Sequence, residues 1–208
     1  MSQSGGGARG PVIGLTGNIV CGKSTVLGIV RELGVRTIDA DELTHRALAP
    51  DGAAFDGVVA AFGPSILGES GGIDRRVLGR RVFSDAAQLR RLEELVHPCV
   101  RAEINCILAT TASTVVVDAI KLIEGGLAQL CEEVWVVRCR PEQQVARLVM
   151  RNGYTREEAL LRIRAQSPQE EKLRVANVVI DNENDLEETR RQVVAAWERA
   201  RSQKGRGA

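Results

Sequence analysis

Between residues 17 and 24 the chain reads Gly17-Asn18-Ile19-Val20-Cys21-Gly22-Lys23-Ser24, a G-x-x-x-x-G-K-S pattern. Each fixed residue type there has a chemical reason. Gly17 and Gly22 let the backbone curl so that successive N–H groups converge on anionic oxygens. Lys23 reaches outer phosphates, the Ser24 hydroxyl suits Mg²⁺, and the helix expected from Lys23 through Thr25 to Leu33 adds the partial positive charge of its N-terminus. The pattern follows an apolar run, Val12-Ile13-Gly14-Leu15, and precedes helical spacing at Val26, Val30 and Leu33. A chance glycine-rich turn before an amphipathic helix is therefore the weaker reading, and nucleotide binding is expected.

Carboxylates and arginines complete the chemical inventory. Asp39-Ala40-Asp41 closes a short strand pattern, Val35–Asp39. An acid there can hold metal-bound water or accept a proton from a substrate hydroxyl; Asp41 suits that use, whereas capping the next helix is the commoner use of a residue placed like Asp39. Asp118 follows Val115-Val116-Val117, the apolar run and aspartate that hold Mg²⁺ in phosphate-loop proteins; a solvated strand end is the alternative. Arg147 and Arg151 are four apart and share a helix face, with Arg156, Arg162 and Arg164 beyond. Such a hairpin can close over a polyphosphate and neutralise charge during transfer, although for any single arginine plain solvation is the simpler account. His97-Pro98 is expected to end a helix, and a lone histidine is usually structural.

The elements that must position these groups alternate. Val12–Leu15, Val35–Asp39, Thr114–Val117, Val134–Val137 and Val178–Ile180 read as short, non-alternating strands, each followed by helical periodicity. Pro141 suits a helical first turn, the helix ending near Gly153, and Thr155-x-x-Glu158 reads as a capping box. Residues 41–108 are helical, broken at Pro50-Asp51-Gly52, Gly63-Pro64 and Gly71-Gly72, with Ser84 a candidate cap. A last helix spans about 185–201. This is a doubly wound α/β pattern with a five-stranded parallel sheet. Ligands of such sheets gather at the C-terminal strand ends, which groups Gly17–Ser24, Asp39 and Asp41, Asp118 and the loop after Ile180.

At 208 residues the chain suits one domain, with a net charge of +1 and 3% aromatic residues arguing against nucleic acid or a membrane surface as partner. All but four of the 28 basic residues are arginine, which genome composition alone can produce. Five cysteines without a C-x-x-C pair read as reduced thiols in the cytoplasm, Cys21 standing inside the phosphate loop. No apolar run reaches the roughly 18 residues that span a bilayer. Residues 1–11 are expected to be a flexible lead, 12–201 a single domain, and 202–208 a flexible tail.

From about Val12 to Val194 the chain resembles the dephospho-coenzyme A kinases. The likeness rests on Ile13-Gly14-Leu15-Thr16-Gly17, Ile38-Asp39-Ala40-Asp41, Ile73-Asp74-Arg75 and Val82-Phe83. It continues through Leu95-Val96-His97-Pro98, Leu122-Ile123-Glu124-Gly125-Gly126-Leu127, Arg162-Ile163-Arg164-Ala165-Gln166 and Val179-Ile180-Asp181-Asn182. The resemblance implies a three-layer P-loop kinase fold that moves a phosphoryl group from ATP, with Mg²⁺, to the ribose 3′-hydroxyl of dephospho-coenzyme A. It implies Asp41 facing the hydroxyl, Lys23 and residues 17–25 on the triphosphate, Ser24 and Asp118 on the metal, and Arg147, Arg151 and Asn182 on the nucleotide. Residues 42–108 become an acceptor-binding insert bearing Arg75 and His97, and 147–168 a lid bearing Arg162, in a monomer or weak homo-oligomer.

The family usually carries further glycines and a serine where this chain has Asn18, Val20 and Cys21. A β-branched Val20 is strained if its φ is positive. Family members also commonly have Pro-Leu-Leu-Phe-Glu where Ile120-Lys121-Leu122-Ile123-Glu124 stands here. Rival readings are another small-molecule or nucleoside-monophosphate kinase of this fold, and a catalytically impaired nucleotide-binding module. A regulatory GTPase fits poorly, because Asp118-Ala119-Ile120-Lys121 lacks the switch glycine and no Asn-Lys-x-Asp occurs.

Overall fold

Five strands, β1 (Val12–Gly17), β2 (Arg36–Asp39), β3 (Val115–Asp118), β4 (Glu133–Arg138) and β5 (Val178–Asp181), form one parallel sheet in the order β2-β3-β1-β4-β5. The computed structural model describes residues 9–204. Every residue of β1 and β3 is buried, which is why their sequences are apolar without alternation. One face, with Ile13, Leu15, Val116, Trp135 and Val137, packs on α1 (Lys23–Glu32) through Val26, Ile29 and Val30, and on α9 (Leu186–Lys204) through Val193 and Ala196.

Three helices stand between β4 and β5. Pro141 opens α6 (Pro141–Asn152), where its missing N–H has no partner to lose. The expected capping box opens α7 (Arg156–Arg164): Glu158 N–H donates to Thr155 Oγ1 at 3.2 Å and Thr155 N–H to Glu158 Oε2 at 2.9 Å. Next comes α8 (Gln169–Arg174). Val145, Leu148 and Ala159 form a small core of their own, flanked by Tyr154, Leu160 and Ile163.

The chain divides into two units, one holding residues to Ile38 and from Thr111, the other Asp39–Thr110. The second is helical: α2 (Ala40–Ala47), α3 (Phe55–Phe62), α4 (Arg75–Phe83) and α5 (Ala86–Ala109), the first three each packed on α5. Aspartates cap three of these helices, Asp39 for α2, Asp74 for α4 and Asp85 for α5, each accepting two backbone N–H bonds. The expected insert, 42–108, falls inside this unit.

Four expectations change. Asp85 rather than Ser84 caps α5, because Ser84 still has helical dihedrals at the end of α4 and its hydroxyl bonds back to Arg80 O at 2.9 Å. His97-Pro98 does not end that helix, which runs on to Ala109. Pro98 has no N–H for the Glu94 carbonyl, yet both residues lie on the exposed side, where water can serve that oxygen. The buried row Val96, Val100, Ile104 and Leu108 carries the helix past it. Order also begins before residue 12: Gly10 N–H donates to Ala112 O at 2.7 Å and Pro11 O accepts from Val115 N–H at 3.2 Å. Helix α9 continues to Lys204, with Ser202 Oγ bonded to Glu198 O at 2.8 Å. The remainder of the expected lead and tail, 1–8 and 205–208, lies outside the described residues.

Candidate functional site

Strand β1 ends at Gly17 and α1 begins at Lys23, so the phosphate loop is a five-residue turn from strand to helix. Both glycines are sterically required. Gly17 lies opposite Val137, and a Cβ on it would sit 2.6 Å from the Val137 carbonyl oxygen. Gly22 has φ 101°, and a Cβ there would fall 1.8 Å from Asn182 Nδ2. Between them Cys21 N–H closes a turn onto Asn18 O at 3.2 Å. Val20 has φ 52°, the one positive φ outside glycine among the described residues. The strain anticipated for this β-branched residue is therefore real, at about 1–2 kcal/mol.

What holds the strained turn is a set of side chains distant in sequence. Gln144 Nε2 donates to Ile19 O at 2.9 Å, Arg147 Nη1 to Val20 O at 3.0 Å, and Asn182 Nδ2 to Cys21 O at 2.9 Å. Three successive carbonyls are thus drawn outward. Because the peptide is planar, the N–H groups that follow them are turned to the opposite side; those of Val20 and Gly22 lie there, while that of Cys21 already closes the turn onto Asn18 O. The braces are themselves braced: Arg147 Nη2 donates to Asn182 O at 2.9 Å, and buried Thr189 donates to Asn182 Oδ1 at 2.9 Å. Asn18 Nδ2 donates to Ser167 O at 3.2 Å, while its buried Oδ1 accepts no bond. Ile19 N–H donates to Gln166 Oε1 at 2.7 Å, so within the expected cradle of residues 18–24 that donor is already engaged. The side chains of Ile19 and Val20 pack on the Val145–Leu148–Ala159 core, which offsets the cost of the Val20 backbone.

Charge lies at the helix end of the loop. Lys23 Nζ donates to Asp118 Oδ1 in a short ion pair, both side chains largely sheltered. Register explains the meeting, since Asp118 ends β3 beside Leu15 of β1. Lys23 and Ser24 are the first residues of α1, so their N–H groups have no partner within the helix. Such donors beside a lysine make an anion site. Ser24 is exposed.

A hard cation that keeps several waters and bridges phosphate oxygens fits the Ser24 hydroxyl and the Asp118 carboxylate, which are oxygen donors of the right kind. Among the described residues there is no cluster of three or more His, Cys, Asp or Glu that could hold a metal, so a cation here would lean on substrate oxygens. Farther along the loop after β3, buried Lys172 donates to Glu124 Oε1 at 2.7 Å. Burial alone would raise the Glu124 carboxyl, but the Lys172 hydrogen bond and others from the backbone and Ser167 hold it below its ordinary range.

The first unit therefore brings together Gly17–Thr25, Asp118, Arg147 and Asn182. Arg147 and Asn182 serve there as braces, the Asn182 amide being engaged at both its nitrogen and its oxygen. Arg151 is exposed one turn beyond Arg147 on α6. Arg162 on α7 stacks 3.7 Å over the Tyr154 ring. The other three candidates belong to the second unit: Asp41 exposed in the first turn of α2, Arg75 exposed at the start of α4, and His97 half-buried in mid-α5.

Sequence reasoning did not single out Gln144, Gln166 or Thr189. Gln144 had a signal, a polar residue one turn before Leu148 on a buried helix face. Gln166 closes the stretch Arg162-Ile163-Arg164-Ala165-Gln166 without any spacing that points to the loop.

A family model described as dephospho-CoA kinase matches residues 11–188, which take in the loop, the insert and all five strands. The chain belongs to the dephospho-CoA kinase family. A dephospho-CoA kinase of Carboxydothermus hydrogenoformans is 45% identical over 188 residues, 88% of this chain and 91% of that one. Among solved structures, a Thermus thermophilus protein is similar at 35% identity and TM-score 0.80, covering 92% of this chain and 97% of the other. The dephospho-CoA kinase from Campylobacter jejuni is similar at 27% identity and TM-score 0.66 over the same shares.

Proposed function

We propose that this chain phosphorylates the ribose 3′-hydroxyl of dephospho-coenzyme A with ATP, yielding coenzyme A. The observation that carries the reading is the Gly17–Ser24 loop, held open by outward-drawn carbonyls with Lys23 and Asp118 at its mouth, in a chain of this family. The inward N–H groups and Lys23 bind the β- and γ-phosphates of ATP. Ser24 and Asp118 would hold Mg²⁺, which supplies charge neutralisation on the phosphate oxygens when bound. Asp41 orients the acceptor hydroxyl and takes its proton late. An ordinary carboxylate is a weak base, so in a loose transition state most of its value is positioning. Arg75, His97 and Arg162 are the proposed acceptor contacts, and Arg151 a further phosphate contact from the lid.

No described helix is long and apolar enough to cross a membrane; the cytoplasm, where ATP abounds, is the proposed place of action. Incubation with ATP, Mg²⁺ and dephospho-coenzyme A should yield coenzyme A by mass spectrometry. Transfer only to other alcohols would replace the acceptor, and ATP binding without transfer to any acceptor would reduce the protein to a nucleotide-binding module.

A further inference from the structure

The segment that returns from α7 to the sheet rests on the phosphate loop at three points. Gln166 Oε1 accepts from Ile19 N–H at 2.7 Å, Ser167 O from Asn18 Nδ2 at 3.2 Å, and Gln169 Oε1 from the Cys21 thiol at 3.5 Å. Little apolar burial holds this segment in place. Lys172 is the one buried residue of α8, whose single apolar residue, Leu173, is half-buried. A helix of six residues has no stability of its own, so what docks α8 is chiefly a cation. The Lys172 side chain, 4% exposed, donates to Glu124 Oε1 at 2.7 Å and to Ile120 O at 3.4 Å. Ile120 O also accepts from buried Thr16 Oγ1 at 3.0 Å, on the residue before Gly17. The ammonium therefore joins the return segment, the turn after β3 and the end of β1.

We propose that Lys172 is a positioning residue for the phosphate loop. Held by Glu124 and Ile120, it fixes where Gln166, Ser167 and Gln169 meet residues 18–21, and through them the bend that takes the triphosphate. The inference rests on the proposed use of that loop for ATP. Lys172 bonds to none of the loop residues itself, so it acts through the segment.

Stability alone does not account for a charge at this point. Burying an ammonium costs desolvation that its partner's attraction only offsets, and an apolar side chain of similar length would dock a helix as well. What the ion pair adds is direction. Glu124 and Ile120 offer acceptors at one place only, so the ammonium sets the register of α8, whereas a flexible methionine could settle in several. Gln169 lies three residues before Lys172 on the same side of the helix, so a shift of one moves the other. A loop already strained at Val20 has little tolerance for such a shift.

The test measures ATP affinity by calorimetry, amide exchange at Ile19 by NMR and the urea unfolding midpoint, all on the full-length protein and none involving the acceptor. Lys172→Met should keep a midpoint close to that of the wild type, because Glu124, 34% exposed, can turn to water. It should speed Ile19 exchange and lower ATP affinity about tenfold, the scale of one or two neutral hydrogen bonds. The double variant Lys172→Met/Glu124→Leu, an apolar pair in place of the ionic one, should be as stable as the wild type and still bind ATP about tenfold more weakly; it decides the matter should the single variant fold poorly. Glu124→Gln, which still offers the ammonium an oxygen, should stay within about twofold. A wild-type protein that does not bind ATP would remove the proposed function and this inference with it. Where the wild type binds, the inference alone is overturned if the apolar pair binds ATP equally well, if Glu124→Gln loses as much as Lys172→Met, or if Ile19 exchange is unchanged in both Lys172 variants.

Discussion

Residues 18–22 and residues 39–41 are both short passages from a strand end to a helix, yet they are held by different means. The first, between β1 and α1, is fixed by Gln144, Arg147, Gln166 and Asn182, which lie 125 to 161 positions away in the chain. The second, between β2 and α2, is fixed by one local carboxylate, Asp39, accepting from Asp41 and Glu42 N–H at 2.9 and 3.0 Å. A turn that must present backbone donors in one arrangement needs restraint from all sides. A turn whose proposed task is to present one side chain, Asp41, needs only a cap.

The sharpest probe of that contrast is Lys23→Ala, which removes the one side-chain cation of the loop. Turnover should fall by about 10³-fold, with ATP affinity falling too, because the loop itself then meets phosphate charge with backbone dipoles alone; unchanged ATP binding in calorimetry would reject the loop as the triphosphate site. Asp41→Asn comes next. It should lower turnover by about 10²-fold, the lower end for a proton acceptor, while ATP affinity stays within about twofold. A normal rate would remove Asp41 from the chemistry and leave the second passage with no task beyond starting a helix.

Arg147→Ala tests restraint without touching the cation. Losing the bonds to Val20 O and Asn182 O frees a carbonyl in a turn with positive φ, so ATP affinity should drop about tenfold to a hundredfold, in line with about 1.5–3 kcal/mol for a bond to a charged donor. Affinity equal to the wild type would show that packing of Ile19 and Val20 suffices. The smallest effect belongs to Asp39→Ala, where loss of a cap should destabilise by about 1 kcal/mol in urea unfolding. ATP affinity should not move. If it fell as far as in Arg147→Ala, the two passages would be held alike after all.

Legibility followed the same division. Local rules found the strands, Pro141 at a helix start, the Thr155–Glu158 box and the need for glycine at 17 and 22. The Val20 strain was readable too, as a condition, since only the φ of 52° decided it. Rules that depend on a single neighbour misplaced the α5 cap by one residue and stopped α5 at Pro98. The first error arises because Ser84 still ends α4, the second because tertiary packing of the buried row from Val96 to Leu108 outweighs a local breaker. The braces were the least readable part. Gln166 reaches Ile19 only because α7 folds back, and nothing in its own neighbourhood requires that.

Because the Lys23 ammonium already rests against Asp118, an arriving anion must win it from a carboxylate before gaining anything. A lone chloride or sulfate, well satisfied by water, brings little to that exchange. A chain of linked phosphates can take the ammonium at one end while the loop grips the other. On the proposed function the sheltered pair sets a threshold, one that linked phosphates cross with more to gain than a small single ion has.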